Sequence, residues 1–148
     1  MRKTFLCAAS LLLLPALAHA QSTASAMQDF GLFGTWAGEC SQSPSPMNNH
    51  ATYSGTSAGG AQLKYQSGAD YEDSIYDILD AKRVSPDKLS LHQVLMSNDR
   101  VMLEIVLLKD HDKIRIWSSV FPDGTALVEE GVVSSFTGRE TRWMARCP

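Results

Sequence analysis

The chain has 148 residues, with 13 Lys+Arg against 16 Asp+Glu and a net charge of −3. That length suits one domain. The acidic balance argues against nucleic-acid binding, which needs a basic footprint, and against attraction to an anionic membrane surface.

Residues 1–20 (MRKTFLCAASLLLLPALAHA) read as a removable signal peptide. Arg2 and Lys3 form a basic start, Phe5 to Leu17 an apolar stretch, and Ala18-His19-Ala20 a small-x-small cleavage site. The apolar run is about 13 residues, short of the ~20 that a membrane span needs, and Pro15 interrupts it. Cleavage after Ala20 leaves 128 residues with 11 basic and 16 acidic side chains, a net charge of −5. It also removes Cys7, so Cys40 and Cys147 remain as an even pair in an exported chain. Such a pair reads as a disulfide. The short leader points to the periplasm first and the extracellular medium second.

Residues 21–31 are small and polar and read as a flexible N-terminal arm. A single domain is expected over 32–148. Its first strand is expected at Leu32–Cys40, followed by a long Ser/Pro/Asn/Gly-rich loop at 41–61 with one weak strand at 51–57. From Gln62 onward, short runs of Val, Ile, Leu and Tyr alternate with turn signals. One hairpin is expected near Ser85-Pro86-Asp87-Lys88, between strands at 74–84 and 88–97. A second turns at Asp110-His111-Asp112-Lys113. Its register places Leu107 with Ile116, Ile105 with Ser118 and Leu103 with Val120 on one face. The opposite face then carries Met102, Val106, Trp117 and Phe121. A third hairpin turns at Asp123-Gly124 and pairs Ser118 with Glu129 on the first face. The last strand is Thr141–Cys147. The expected fold is all-β: an antiparallel up-and-down β-barrel of 8–9 strands, with a two-sheet sandwich as the other solution. A bond between Cys40 and Cys147 favours closure. If both cysteines end their strands, those strands run parallel and the strand count is odd. Otherwise Cys40 lies on the long loop and folds back.

Phe33-Gly34-Thr35-Trp36 at the start of the first strand resembles the Gly-x-Trp signature of the lipocalin and calycin barrels. The resemblance covers this motif plus the architecture, and carries over no ligand. It implies that Trp36 closes one end of a barrel and that an arginine near the last strand packs over its indole. Arg139, Arg142 and Arg146 are the candidates, with Arg142 chosen beside Gly34 and Trp36 as structural residues. A second resemblance is to the small periplasmic inhibitors of secreted metalloproteases, also disulfide-bonded barrels with an early Gly-x-Trp. It implies inhibition by an N-terminal arm, for which the segment 21–30 would serve.

Several motifs could carry chemistry, and each has a plainer reading. Gly55-Thr56-Ser57-Ala58-Gly59 matches a nucleophile elbow, but its flanks lack the required strand and helix. Asp110-His111-Asp112 reads as a solvated hairpin tip rather than a metal site. The acidic run Asp70, Glu72, Asp73, Asp77 and Asp80 reads as a solvated face. His50, His92 and His111 share no ligand spacing. No catalytic constellation, metal site or cofactor is therefore expected. Two functional features remain. Ser118 and Glu129, on the presumed interior, could orient a small apolar or amphipathic ligand. Met102, Val106, Trp117 and Phe121, on the outside, could form a contact patch for an envelope protein or a second copy of the chain.

Overall fold

Turn residues cut the chain into short strands whose apolar positions alternate. A computed structural model describes residues 22–97, 99–135 and 138–148. The proposed signal peptide at 1–20 lies outside the described residues.

A helix, α1 (Thr23–Phe30), precedes ten strands: β1 (Gly34–Ala37), β2 (His50–Gly55), β3 (Ala61–Gln66), β4 (Ser74–Ser85), β5 (Lys88–Leu95), β6 (Met102–Asp110), β7 (Lys113–Val120), β8 (Ala126–Glu129), β9 (Val132–Val133) and β10 (Met144–Arg146). Neighbours pair antiparallel from β1 through β7. β10 fits between β7 and β1, where Met144 faces Ile114 and Trp36 faces Arg146. Eight strands thus close an antiparallel up-and-down barrel. β8 and β9 form a two-strand flap on the other half of β7.

The even strand count settles the polarity of the seam. β1 and β10 are antiparallel, so the cysteines do not end two parallel strands. Cys40 lies beyond β1 on the following loop and folds back to bond Cys147, with Cα atoms 5.4 Å apart.

Two segments are more ordered than their sequence expectation. Within the 41–61 stretch the weak strand expected at 51–57 is present as β2, His50–Gly55, and is paired on both sides. The preceding turn is held by the buried Asn48, whose amide brackets Glu39 by accepting from its N–H and donating to its carbonyl, both at 2.9 Å. The arm is folded as well. Ser22 caps α1 by accepting from the Ser25 N–H, and Gly31, at φ 73°, ends it in the left-handed conformation. The apolar face of α1, Ala26, Met27 and Phe30, is buried in the core.

That helix and Trp36 plug one end of the barrel. Phe30, Met27, Leu32, Leu89, Leu107 and Ile114 are among the fully buried side chains there. The indole of Trp36 donates to the Leu32 carbonyl at 2.7 Å. Lys109 caps the helix C-terminus, donating to the Phe30 carbonyl at 2.7 Å while its ammonium lies 5.3 Å from the Phe30 ring centre. Among the described residues no helix is long and apolar enough to cross a membrane.

Candidate functional site

At the end of the barrel away from α1, the interior opens into a cavity of about 150 Å³. Its walls are Leu63, Leu103, Ile105, Ile116 and Met144, and its polar lining is Tyr53, Tyr65, Tyr76, Gln93 and Ser119. Two of these are unusual for an interior: Gln93 is 5% exposed and Ser119 is 4% exposed. Neither side chain has a hydrogen-bond partner among the described residues, nor is its polar end sealed off in the packing.

Strand periodicity explains how Gln93 arrives there. Leu89, Leu91 and Gln93 occupy every second position of β5 and therefore one face. Ser119 arrives by a bulge. Leu107 pairs with Ile116 as expected, but Val106 pairs with Ser118, leaving Trp117 as an extra residue on β7. The bulge inverts the facing beyond it. Ser119, not Ser118, follows Ile114 and Ile116 inward and pairs with the buried Val128. The phenols of Tyr53 and Tyr76 stay neutral. Burial pushes Tyr53 far above its ordinary range and raises Tyr76, with the neighbouring Tyr65 adding to both.

A second, open hollow of about 550 Å³ adjoins the cavity, and Tyr65, Ile116 and Met144 line both. Its outer rim holds Asn49, Arg139, Glu140 and Arg142. Asn49 Oδ1 is buried there without a partner among the described residues.

The expected ligand pair is not assembled. Ser118 shares the outward side with Val106, and Glu129 is exposed on β8. A bulge leaves no mark in a two-residue alternation, so the expected facing is inverted beyond Trp117. The expected contact patch is divided. Trp117 is engaged by two cations, Lys88 at 4.3 Å from its ring centre and Arg115 at 5.6 Å. Arg115 also lies 4.8 Å from the Trp143 ring centre and forms an ion pair with Glu140 at 2.9 Å. Val106 is half-buried. Met102, 48% exposed, and Phe121 border a separate hollow of about 350 Å³.

The arginines also redistribute. Arg142 donates to the Met47 carbonyl and holds the β1–β2 loop rather than an indole. Arg146 lies against Gly34 and donates to the Phe33 carbonyl at 2.8 Å. Gly34, at φ 126°, is therefore needed both for its backbone and for the room it leaves the guanidinium.

The remaining motifs sit on turns. Ser57 is exposed at the tip of the β2–β3 hairpin, with no helix behind it. His111 is at the β6–β7 tip, bonded to its neighbour Asp110 at 2.7 Å. In the acidic run, Asp73 pairs with Lys64 at 2.8 Å and Asp77 accepts from Gln62 at 2.7 Å. Among the described residues no three His, Cys, Asp or Glu side chains gather into a metal site. The chain matches no protein family, no curated protein and no solved structure.

Proposed function

We propose that the protein is an exported, lipocalin-like binding barrel that takes a small amphipathic molecule into its open end, with the periplasm as its compartment. The observation that carries this reading is the pair Gln93 and Ser119, almost wholly buried, unpartnered, and facing a cavity with apolar walls. Polar side chains are uncommon on the inward face of a small barrel, and these two turn their polar ends to the cavity, where a guest can bond them. Export is supported by the basic-apolar leader in the sequence and by the disulfide. The lipocalin likeness is supported by Gly34 and Trp36 at the plugged end of the barrel.

The test is native mass spectrometry of the protein recovered from its own compartment, beside a Leu103→Trp variant. Leu103 lines the cavity and is only half-buried, so an indole there would fill the site without entering the packed core. The expected result is a small-molecule adduct on the parent that the variant lacks. An adduct of equal abundance on both would place the ligand elsewhere and end the reading.

The alternative, an interaction or inhibitor protein, has the Met102/Phe121 hollow in its favour. Its other two supports are weaker: Trp117 is already engaged by two cations, and the segment meant as a free arm packs as α1.

A further inference from the structure

We propose that the barrel cavity selects an uncharged molecule about the size of a single aromatic ring, bearing a group that both donates and accepts hydrogen bonds, with Gln93 and Ser119 as the residues that set this preference. This deepens the binding-barrel reading and rests on it.

Size comes first. A cavity of about 150 Å³ is of the order that holds one benzene ring. It is too small for the 300–1,000 Å³ pockets that take drug-sized ligands. A long acyl chain does not fit. The hollow sharing Tyr65, Ile116 and Met144 offers an approach to the cavity from solvent.

Charge comes second. Among the described residues no Asp, Glu, Lys, Arg or His lines the cavity. An ion brought there would lose its hydration and meet no counter-charge, which is prohibitive for a buried ion. Tyr53 and Tyr76 do not supply one, since burial holds both in their neutral, proton-donating form.

Polarity comes third. The amide of Gln93 offers two donors and an acceptor, and the hydroxyl of Ser119 offers one donor and two acceptors. Gln93 pairs across to Leu103 on β6, whereas Ser119 pairs with Ile105 on the other side of the same strand. Their backbones are therefore two strand spacings apart across the sheet and two residues apart along it, roughly 12 Å in all, with both side chains turned into the barrel. A hydroxyl or carboxamide between them can bond both. A purely apolar ring would leave both unsatisfied, and a site built to bond a polar group rejects the analogue lacking it.

The experiment titrates the full disulfide-bonded protein with four ring-sized probes: benzyl alcohol, benzamide, toluene and benzoate. Binding is read by amide and side-chain NMR shifts. The alcohol and the amide should bind at least about tenfold more tightly than toluene, the cost of one unmet buried hydrogen bond. Benzoate should bind more weakly than benzamide. Ser119→Ala and Gln93→Leu should each erase much of the preference over toluene while leaving toluene binding equal or stronger. The gain for toluene separates loss of selectivity from loss of fold. Benzoate binding as tightly as benzamide would overturn the inference, and so would a preference unchanged in both variants. If none of the probes shifts the cavity residues while Leu103→Trp still removes a native adduct, the ring-sized assignment is wrong and the binding-barrel reading stands. If Leu103→Trp removes neither probe binding nor adduct, both fall.

Discussion

At the scale of single residues, Gly34 and Tyr53 show how position sets chemistry. Gly34 has φ 126°, a region that L side chains rarely adopt, and a Cβ there would lie 3.3 Å from Arg146 Nε. Gly34→Ala should therefore cost about 1–3 kcal/mol, from backbone strain together with a displaced guanidinium. A shifted urea midpoint at unchanged slope would report it; an unmoved midpoint would mean that the turn relaxes freely. Tyr53 carries a pH dependence. Its phenol titrates far above the ordinary 10.0 because burial disfavours the phenolate. The folded state therefore holds its proton where the unfolded chain has lost it. Stability from this residue is complete below about pH 10 and falls as pH rises further, by up to about 1.4 kcal/mol per pH unit. Chemical denaturation between pH 9 and 11 should show that decline, and Tyr53→Phe should flatten it. Gln93 was open to discovery in the sequence, because Leu89-Ser90-Leu91-His92-Gln93 sets a polar residue in the inward phase of an alternating strand. The signal was there, but a polar residue in that phase draws attention only once the strand is known to face a cavity.

At the scale of elements, local chemistry and tertiary context divide the credit. The Pro86-Asp87 turn, the His111-Asp112 turn and the strands around them follow from turn residues and alternation, and they sit where those signals put them. The bulges at Trp117 and Leu127 do not follow, because either residue would also fit a regular strand. What holds Trp117 outside is a pair of cations against its ring, Lys88 from β5 and Arg115 from its own strand. Those contacts are long-range or depend on the bulge itself. The helix α1 was hidden for a related reason. Eight residues are too few to be stable alone, and Thr-Ala-Ser-Ala carries little apolar signal. Its stability comes from Met27 and Phe30 entering the barrel base, where Phe30 also meets Lys109 and Arg83. Phe30→Ala should accordingly cost about 3–5 kcal/mol, the range for a buried aromatic, and should release the helix. Amide exchange in residues 23–30 would rise toward that of an unfolded segment while β5 and β6 stay protected. Uniform loss of protection would mean instead that α1 is part of one cooperative unit with the strands.

At the scale of the whole molecule, closure decides what the parts can do. A barrel removes the exposed strand edges that invite aggregation. Here the last closing strand, β10, has only three residues, Met144–Arg146, which makes the seam its weakest line. Three ties reinforce it: Arg146 to the Phe33 carbonyl, the Cys147 N–H to the Thr35 carbonyl at 2.8 Å, and the Cys40–Cys147 bond. The bond spans a sequence separation of 107, so in the chain-entropy account it stabilises by roughly 4–5 kcal/mol, mostly by restricting the unfolded chain. It also anchors two walls of the same cleft. Cys40 belongs to the loop that carries Asn49, and Cys147 follows the strand that carries Met144. Loss of the bond should therefore act at two levels. The Cys40→Ser/Cys147→Ser double variant should unfold at a lower denaturant concentration, by an amount within that estimate. Where it remains folded, exchange should quicken first in β10 and β1, with β4 to β6 unchanged. Protection falling evenly around the barrel would show that β10 is held by its neighbours alone and that sulfur contributes only through the unfolded chain. Selective fraying at the seam would show that the disulfide also keeps the mouth of the cavity in shape, linking the covalent tie to the binding that the barrel is proposed to perform.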